Sequence, residues 1–240
     1  IAFYMLLSGI NYGLLFVAIF KGNIKKIIDD TEFKWYIGIT LLFALLVASS
    51  LFASKQYGFA ESIRQGLFNV ISTGFTITDY TLWPPFIWMI LGFCMYFGAC
   101  GGSTSGGAKI IRITILIKAM RNEFNRILHP NGVLPIRISD KVLSSSIKQS
   151  VLTFIIFMIA IVFVGWFFYI AIGLNITDAY GTSLACISNL GITIGDHGCN
   201  ISWDDMPTIG KWFSTFLMLI GRLELFAVLI LFTPAFWKHR

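Results

Sequence analysis

Charged side chains are scarce in this sequence. Only 12% of its 240 residues are Asp, Glu, Lys or Arg, whereas 56% are hydrophobic and the mean hydropathy is +0.78. Soluble globular domains carry about 25% charged residues, so this composition excludes that class. Histidine is also rare, with three in the chain and none in a long apolar stretch, so we expect no histidine-based metal site or catalytic set.

Cysteine is also rare, and the sequence contains no paired metal-ligand motif. The four cysteines lack the paired spacing of metal sites, and three of them lie in apolar stretches; they are Cys94, Cys100, Cys186 and Cys199. We interpret them as small core residues.

Long uncharged segments are abundant. A membrane span needs about 20 apolar residues, and four segments of that length or more lack charge: 1–20, 35–54, 80–108 and 150–177. A fifth, 213–237, is interrupted only by Arg222 and Glu224. The sequence therefore predicts an all-α, multi-pass membrane protein.

Basic residues lie in three zones, at 21–34, 118–148 and 238–240. By the positive-inside rule these zones are cytoplasmic, which leaves a largely acidic outer face. Such a face would concentrate cations, although an ordinary solvated surface explains the same charges. Because the basic residues are spread over separate loops, the net charge of +6 does not indicate a nucleic-acid partner.

Two helix-compatible segments are too short to cross a bilayer. Residues 61–72 would form a helix of about 18 Å, against a hydrocarbon core of about 30 Å, and residues 178–187 follow the same pattern. We expect each to dip in from outside and the loop after it to climb back, as a re-entrant pore loop. Such backbone persists at membrane depth only where it is buried in protein or lines a watery cavity.

The two halves of the chain repeat this plan. An offset of 117 residues, the difference between positions 191 and 74, superposes Gly74 on Gly191, Thr76 on Thr193 and Asp79 on Asp196. Together with the matching order of segments, these identities indicate an internal duplication. We expect helix, pore loop, helix repeats at 33–128 and 145–237, with residues 1–20 as the last helix of a preceding repeat. Since the chain opens on Ile1, we interpret it as a fragment without its front.

The loops "TGFT" and "NLGI" contain no charged ligand. Glycine lets the backbone turn its carbonyls inward, and carbonyl oxygens suit a monovalent cation such as potassium better than a divalent metal. The alternative is that Gly74 and Gly191 merely close the turns.

The run "GGSTSGGAK" at 101–109 interrupts an apolar segment, and its spacing is not that of a phosphate loop. We expect it to be a flexible plug beneath a pore, or else a broken helix needed for packing. Arg222 lies inside the last apolar segment, where a charge costs about 2.5–3.5 kcal/mol. It should face the interior, either as a barrier that bonds the carbonyls of this loop or as a polar tie between helices.

Several motifs occur together and in order: "STGF" with "ITDY", "GACGGSTSGGAKIIR", "HPNGVLPIR", "SNLG" and "GRLEL". Their combination resembles the pore-forming subunit of the Trk/Ktr potassium transporter family over essentially the whole chain. The resemblance implies four helix, pore loop, helix repeats around a central ion pathway, of which this chain carries the third and fourth. One departure is that Ile192 and Thr193 stand where the family often has proline and glycine.

The resemblance also implies site residues and partners. The selectivity filter corresponds to backbone oxygens of Ser72, Thr73, Gly74, Asn189, Leu190 and Gly191, with potassium bound at Thr73, Gly74, Asn189 and Leu190. The gate corresponds to Gly101, Gly102, Ser103, Thr104, Ser105, Gly106, Gly107 and Arg222. We expect potassium uptake without an organic cofactor, in the lipid of the cell (inner) membrane, by a homodimer that docks on a cytosolic nucleotide-binding regulatory subunit. Two alternatives are a non-conducting partner subunit and a multi-pass membrane enzyme.

Overall fold

The structure, a computed structural model, describes residues 2–22, 25–71, 78–103, 106–129, 136–138, 141–191, 193–195, 206–223 and 225–237. Within these ranges the chain is almost entirely helical. The helices are α1 (Ala2–Ser8), α2 (Tyr12–Lys21), α3 (Lys25–Asp29), α4 (Thr31–Ala53), α5 (Phe59–Ile71), α6 (Pro85–Phe97), α7 (Ile110–Leu128), α8 (Ser145–Ala171), α9 (Ile176–Ser188), α10 (Thr208–Arg222), α11 (Leu225–Leu229) and α12 (Pro234–Trp237). A short antiparallel pair, β1 (Arg137–Ile138) and β2 (Lys141–Val142), precedes α8.

Helices α4 and α8 are long and apolar enough to cross a membrane, with 23 and 27 residues. Each begins at a polar cap: the Asp30 carboxylate accepts the Phe33 N–H at 3.1 Å, and the Ser144 hydroxyl accepts the Ile147 N–H at 3.4 Å. Such caps satisfy backbone donors that a helix leaves open. The predicted all-α membrane fold is confirmed.

Two segments expected as continuous spans are broken instead. Helices α1 and α2 meet at a bend of 104°, and α10 meets the helix beginning at Leu225 at a bend of 118°. In the first break, the Asn11 side chain accepts the Gly13 N–H at 2.8 Å and starts a new helix. The segments 1–20 and 213–237, expected as spans, are thus each divided by a bend, at the residues after Ser8 and after Arg222.

Each short helix packs on the long helix before it through a glycine. A methyl group at Gly66 of α5 would lie 2.7 Å from the Ala44 carbonyl oxygen of α4. In the second half, Gly165 of α8 faces Ser183 of α9, whose hydroxyl donates to the Val162 carbonyl at 2.8 Å. Helices without a side chain at the crossing point approach closely, which is the usual way of packing helices in membranes.

Candidate functional site

Helix α9 ends in a sharp reversal of the chain. Asn189 takes the left-handed conformation at φ 52° and ψ 39°, and the Leu190 N–H bonds the Ala185 carbonyl at 3.0 Å. This is the cap that commonly ends a helix, and asparagine is one of the few side chains that adopts it readily. The turn places Leu190 and Gly191 immediately beyond the end of α9.

Beyond the turn, the chain runs back along α9. A methyl group at Gly181 would overlap the Ile194 carbonyl oxygen, and one at Gly195 would overlap the Asp178 carboxylate. Gly195 has a φ of 143°, which side chains rarely adopt. Helix α9 and the residues 193–195 that run back along it thus form a hairpin, called the α9 hairpin.

The corresponding loop of the first half falls mostly outside the described residues. Ser72, Thr73 and Gly74 are among those not described, and their predicted role in a filter stays a prediction. On the far side of the loop, the Thr78 hydroxyl donates to the Gln65 side-chain oxygen of α5 at 3.0 Å. The chain therefore returns to α5 after the loop, much as it returns to α9.

A tyrosine connects the two loops. The buried Tyr80 hydroxyl donates to the Thr193 carbonyl at 2.5 Å, and the Trp88 indole N–H donates to the Tyr80 carbonyl at 2.9 Å. Tyr80 comes just after the first loop, whereas Thr193 lies in the second. A hydrogen bond across 113 positions of sequence therefore joins Tyr80 to the chain that follows α9.

Tyr80→Phe is expected to lower thermal stability and to weaken ion selectivity. The substitution removes the hydrogen bond that Tyr80 donates to the Thr193 carbonyl, and the loss of one such bond costs about 0.5–1.5 kcal/mol. The melting temperature of the purified full-length protein measures the first effect, and the ratio of potassium to sodium flux in liposomes measures the second. Tyr4→Phe, which removes the hydroxyl of a residue that is 75% exposed, is the matched control and should change neither. Equal behaviour of the two variants would contradict the role given to Tyr80.

The glycine-rich segment forms a loop closed at its base. The Ala108 N–H bonds the Tyr96 carbonyl at 3.1 Å, and the Ile110 N–H bonds the Ala99 carbonyl at 2.9 Å. Gly98, Gly102 and Gly107 have φ values of 63°, 81° and 79°, all in the region that favours glycine. The loop separates α6 from α7, so the apolar segment predicted at 80–108 is not one helix.

This loop lies directly against the end of α9. A methyl group at Gly106 would overlap the Ser188 carbonyl oxygen and lie 3.2 Å from the Asn189 Cβ. The Ser188 hydroxyl donates to the Met95 carbonyl at 2.9 Å, which ties α9 to the end of α6. The structure thus brings two predicted sites together, the gate residue Gly106 and the filter residue Asn189.

A cavity of about 80 Å³ lies at this junction. Its lining includes Asn69 and Ile71 from the end of α5, Gly98 and Gly106 from the loop, and Ser188 from α9. The ends of both short helices therefore face one space that the glycine-rich loop helps to close. Across the described part of the chain, no three His, Cys, Asp or Glu side chains are grouped to hold a metal ion.

Helix α10 supports the turn from the other side. The Asn189 side-chain amide donates to the Met218 carbonyl at 3.2 Å, and a methyl group at Gly221 would overlap the Ile187 carbonyl oxygen. Arg222, the next residue, is the last of α10, and its side chain is exposed. This exposure does not support the expectation that Arg222 faces the interior. The role of Arg222 in a gate stays a prediction.

The remaining predicted gate residues divide into two groups. Gly101, Gly102, Ser103 and Gly107 lie in the closed loop with Gly106, whereas Thr104 and Ser105 lie outside the described residues. Sequence reasoning missed two residues that hold the site together, Tyr80 and Glu32. Glu32 is 8% exposed and accepts the Gly101 N–H. The sequence feature that could have identified Glu32 is an acidic residue at the start of an apolar span.

Comparison with known proteins identifies the family. The family model TrkH, described as a cation transport protein, matches residues 1–239. The chain belongs to the TrkH family. The family resemblance drawn from the motifs is confirmed, and the chain is a multi-pass membrane protein of a transport family rather than an enzyme.

Individual TrkH relatives align along nearly the whole chain. The Trk system potassium uptake protein TrkH of Salmonella typhimurium is 34% identical over 252 residues, which cover 100% of this chain and 50% of the relative. TrkH of Halomonas elongata is 30% identical over 239 residues, covering 98% of this chain and 49% of the relative. The crystal structure of the potassium transporter TrkH from Vibrio parahaemolyticus superposes with a TM-score of 0.92 at 32% identity, covering 99% of this chain and 52% of that one. The chain thus spans about half the length of the relatives it matches.

Proposed function

We propose that this chain forms part of the potassium pathway of a Trk-type uptake protein. Backbone oxygens of 72–74 and 189–191 form part of its selectivity filter, and the loop 101–107 with Arg222 forms its gate. The observation that carries the proposal is the contact between Gly106 and the Ser188 carbonyl. This contact sets the glycine-rich loop directly against the end of α9, beside a cavity that both short helices reach.

The chemistry of the hairpin favours a monovalent cation. Residues 189–191 contain no charged side chain, and carbonyl rings replace the hydration shell of potassium in known filters. The positive φ of Asn189 and the close approach at Gly181 fix the path of the backbone there. Carbonyl oxygens held in fixed positions can distinguish ions by how well they coordinate each one.

The proposed organisation has two repeats in this chain, at 33–128 and 145–237, and a preceding segment at 1–20. It is supported by the order α4, α5, α6 in the first half and α8, α9, α10 in the second, in which the middle helix has 13 residues each time. A full filter needs more loops than two, so the pathway is completed by further repeats. The proposed assembly is a homodimer with a cytosolic nucleotide-binding regulatory subunit.

Gly191→Ala in the full-length protein is expected to lower the flux ratio of potassium over sodium about tenfold, corresponding to ~1.4 kcal/mol of selectivity. The added methyl group restricts the backbone whose carbonyls bind the ion. Flux into liposomes that contain the purified protein measures the ratio.

Gly58→Ala is the matched control, because Gly58 is also in an exposed loop and has no atom within 4 Å of the added methyl group. It should keep the original ratio. An unchanged ratio in Gly191→Ala would refute the filter assignment. Wild-type liposomes without potassium flux would refute transport and would favour a non-conducting subunit.

A further inference from the structure

A buried carboxylate holds the first residue of the glycine-rich loop. Glu32 lies in the first turn of α4, is only 8% exposed, and accepts the backbone N–H of Gly101. A methyl group at Gly101 would lie 3.3 Å from a Glu32 carboxylate oxygen and 3.5 Å from the Ile111 Cγ2 atom, in the first turn of α7. Glu32 therefore joins α4 to the start of the loop.

The position of Glu32 suits a carboxylate. The amino ends of α4 and α7 carry partial positive charge and unpaired N–H groups, both of which stabilise an anion. Hydrogen bonds to an ionised acceptor are roughly twice as strong as neutral ones. This contact therefore helps to fix the position of Gly101 at the start of the loop.

Neighbouring contacts fix the same end of the loop. The Cys100 N–H bonds the Gly9 carbonyl at 3.0 Å, at the break between α1 and α2. The Asn11 side chain lies beside Gly102, 3.3 Å from where a methyl group would stand. The start of the loop is thus bound to α4 and to the α1–α2 break, while Gly106 reaches the end of α9.

Glu32 lies close in sequence to a group of exposed lysines, called the basic corner. Helices α2, α3 and α4 follow one another with short connections, and Lys21, Lys25 and Lys26 are exposed along them. Glu32 comes two residues after Asp30, which caps α4. Glu32 is thus close in sequence to this corner, at the start of the helix that follows it.

We propose that Glu32 is a positioning residue that holds the glycine-rich loop in its closed place through Gly101, and that release of this bond opens the ion pathway. The inference rests on the proposed function, since it assigns Glu32 to the gate of that pathway. It identifies the carboxylate of α4 as the point where movement at the basic corner reaches the loop.

Accessibility of Cys100 tests the proposal in the full-length protein. Cys100 adjoins Gly101 and is 1% exposed, so it reports whether the start of the loop has moved. Glu32→Gln keeps the size of the side chain but removes its charge. We expect a membrane-impermeant maleimide to label Cys100 about ten times faster in this variant, with potassium uptake raised by a similar factor. A Cys100→Ala background assigns the signal.

Two further variants keep the test decisive. Gly101→Ala puts a methyl group 3.3 Å from the Glu32 carboxylate oxygen and should raise labelling even if Glu32→Gln is poorly folded. Glu123→Gln is the control, because Glu123 is an exposed carboxylate on α7 that pairs with Lys148 at 3.1 Å. It should match wild type in both assays.

The outcomes separate this inference from the proposed function. If folded Glu32→Gln and Gly101→Ala are labelled at the wild-type rate, Glu32 does not hold the loop in place. Faster labelling without faster uptake overturns the claim that release opens the pathway, and leaves potassium uptake by the wild type intact. If the wild type shows no potassium uptake, the proposed function is refuted. The labelling rates then show independently whether Glu32 holds the loop.

Discussion

Gly181→Ala is expected to abolish potassium uptake. The added methyl group would overlap the Ile194 carbonyl oxygen and lie 2.6 Å from the Ile194 nitrogen. Both are backbone atoms in a buried segment and have no rotamer by which to move away. Overpacking of this kind costs about 1–3 kcal/mol or more, and a loss of ~3 kcal/mol is about a hundredfold in an equilibrium. The hairpin must therefore open or α9 must shift.

Growth of uptake-deficient cells on low potassium measures the loss, and the melting temperature of the purified full-length protein measures the destabilisation. Gly38→Ala is the matched control, since Gly38 is also within a helix but has no atom within 4 Å of the added methyl group. It should support normal growth and melt at or slightly above the wild-type temperature, because alanine favours helix by about 1 kcal/mol over glycine. Equal growth of the two variants would contradict the hairpin.

Gly221→Ala is expected to reduce ion selectivity strongly and uptake about tenfold or more. Its methyl group would overlap the Ile187 carbonyl oxygen and lie 2.7 Å from the Asn189 side-chain nitrogen. Helix α10 must then move away from α9, and the Asn189 amide loses the Met218 carbonyl as its acceptor. Since Asn189 forms the reversal that precedes Leu190 and Gly191, the displacement reaches the proposed filter.

A second glycine on α10 provides the comparison. Gly210→Ala puts its methyl group near Met206, at 2.9 Å from the Cγ atom, and a flexible methionine side chain can move aside. We expect this variant to keep the wild-type selectivity, measured as the ratio of potassium to sodium flux in liposomes. If Gly221→Ala showed the same ratio as Gly210→Ala, contact between α9 and α10 would not control the filter.

Both large effects act on one structural unit, the hairpin of α9. Gly181 accommodates its returning chain, and Gly221 accommodates the carbonyl of its last turn. The same unit is in contact with the glycine-rich loop through Gly106. A change in the position of α10 or of the loop is therefore transmitted to Asn189 by direct packing.

The short helices and the broken segment could be predicted from sequence because length and composition decide them. Residues 61–72 and 178–187 were expected as short helices, and α5 and α9 each have 13 residues. The glycine-rich run was expected to interrupt an apolar segment, and helices α6 and α7 lie on either side of it. Glycine loses most entropy in a helix and tolerates positive φ, so its effect is local.

The bends after Ser8 and Arg222 could not be predicted in the same way. Both segments are apolar and carry few charges, so hydropathy alone indicates a continuous span. The first bend depends on the Asn11 cap and on the hydrogen bond from Cys100 to Gly9, about 90 positions away in the chain by their numbers. Contacts between residues so far apart in sequence depend on tertiary packing.

By itself, the sequence determined the membrane class, the family and the segments from which filter and gate are proposed. Hydrophobic length, charge placement and glycine content act over short stretches, so these features can be read from the order of residues. Only the tertiary structure decided that Gly106 meets the end of α9, that Tyr80 bonds Thr193, and that Glu32 holds Gly101. Each of these contacts joins residues far apart in sequence, and close packing in three dimensions selects them.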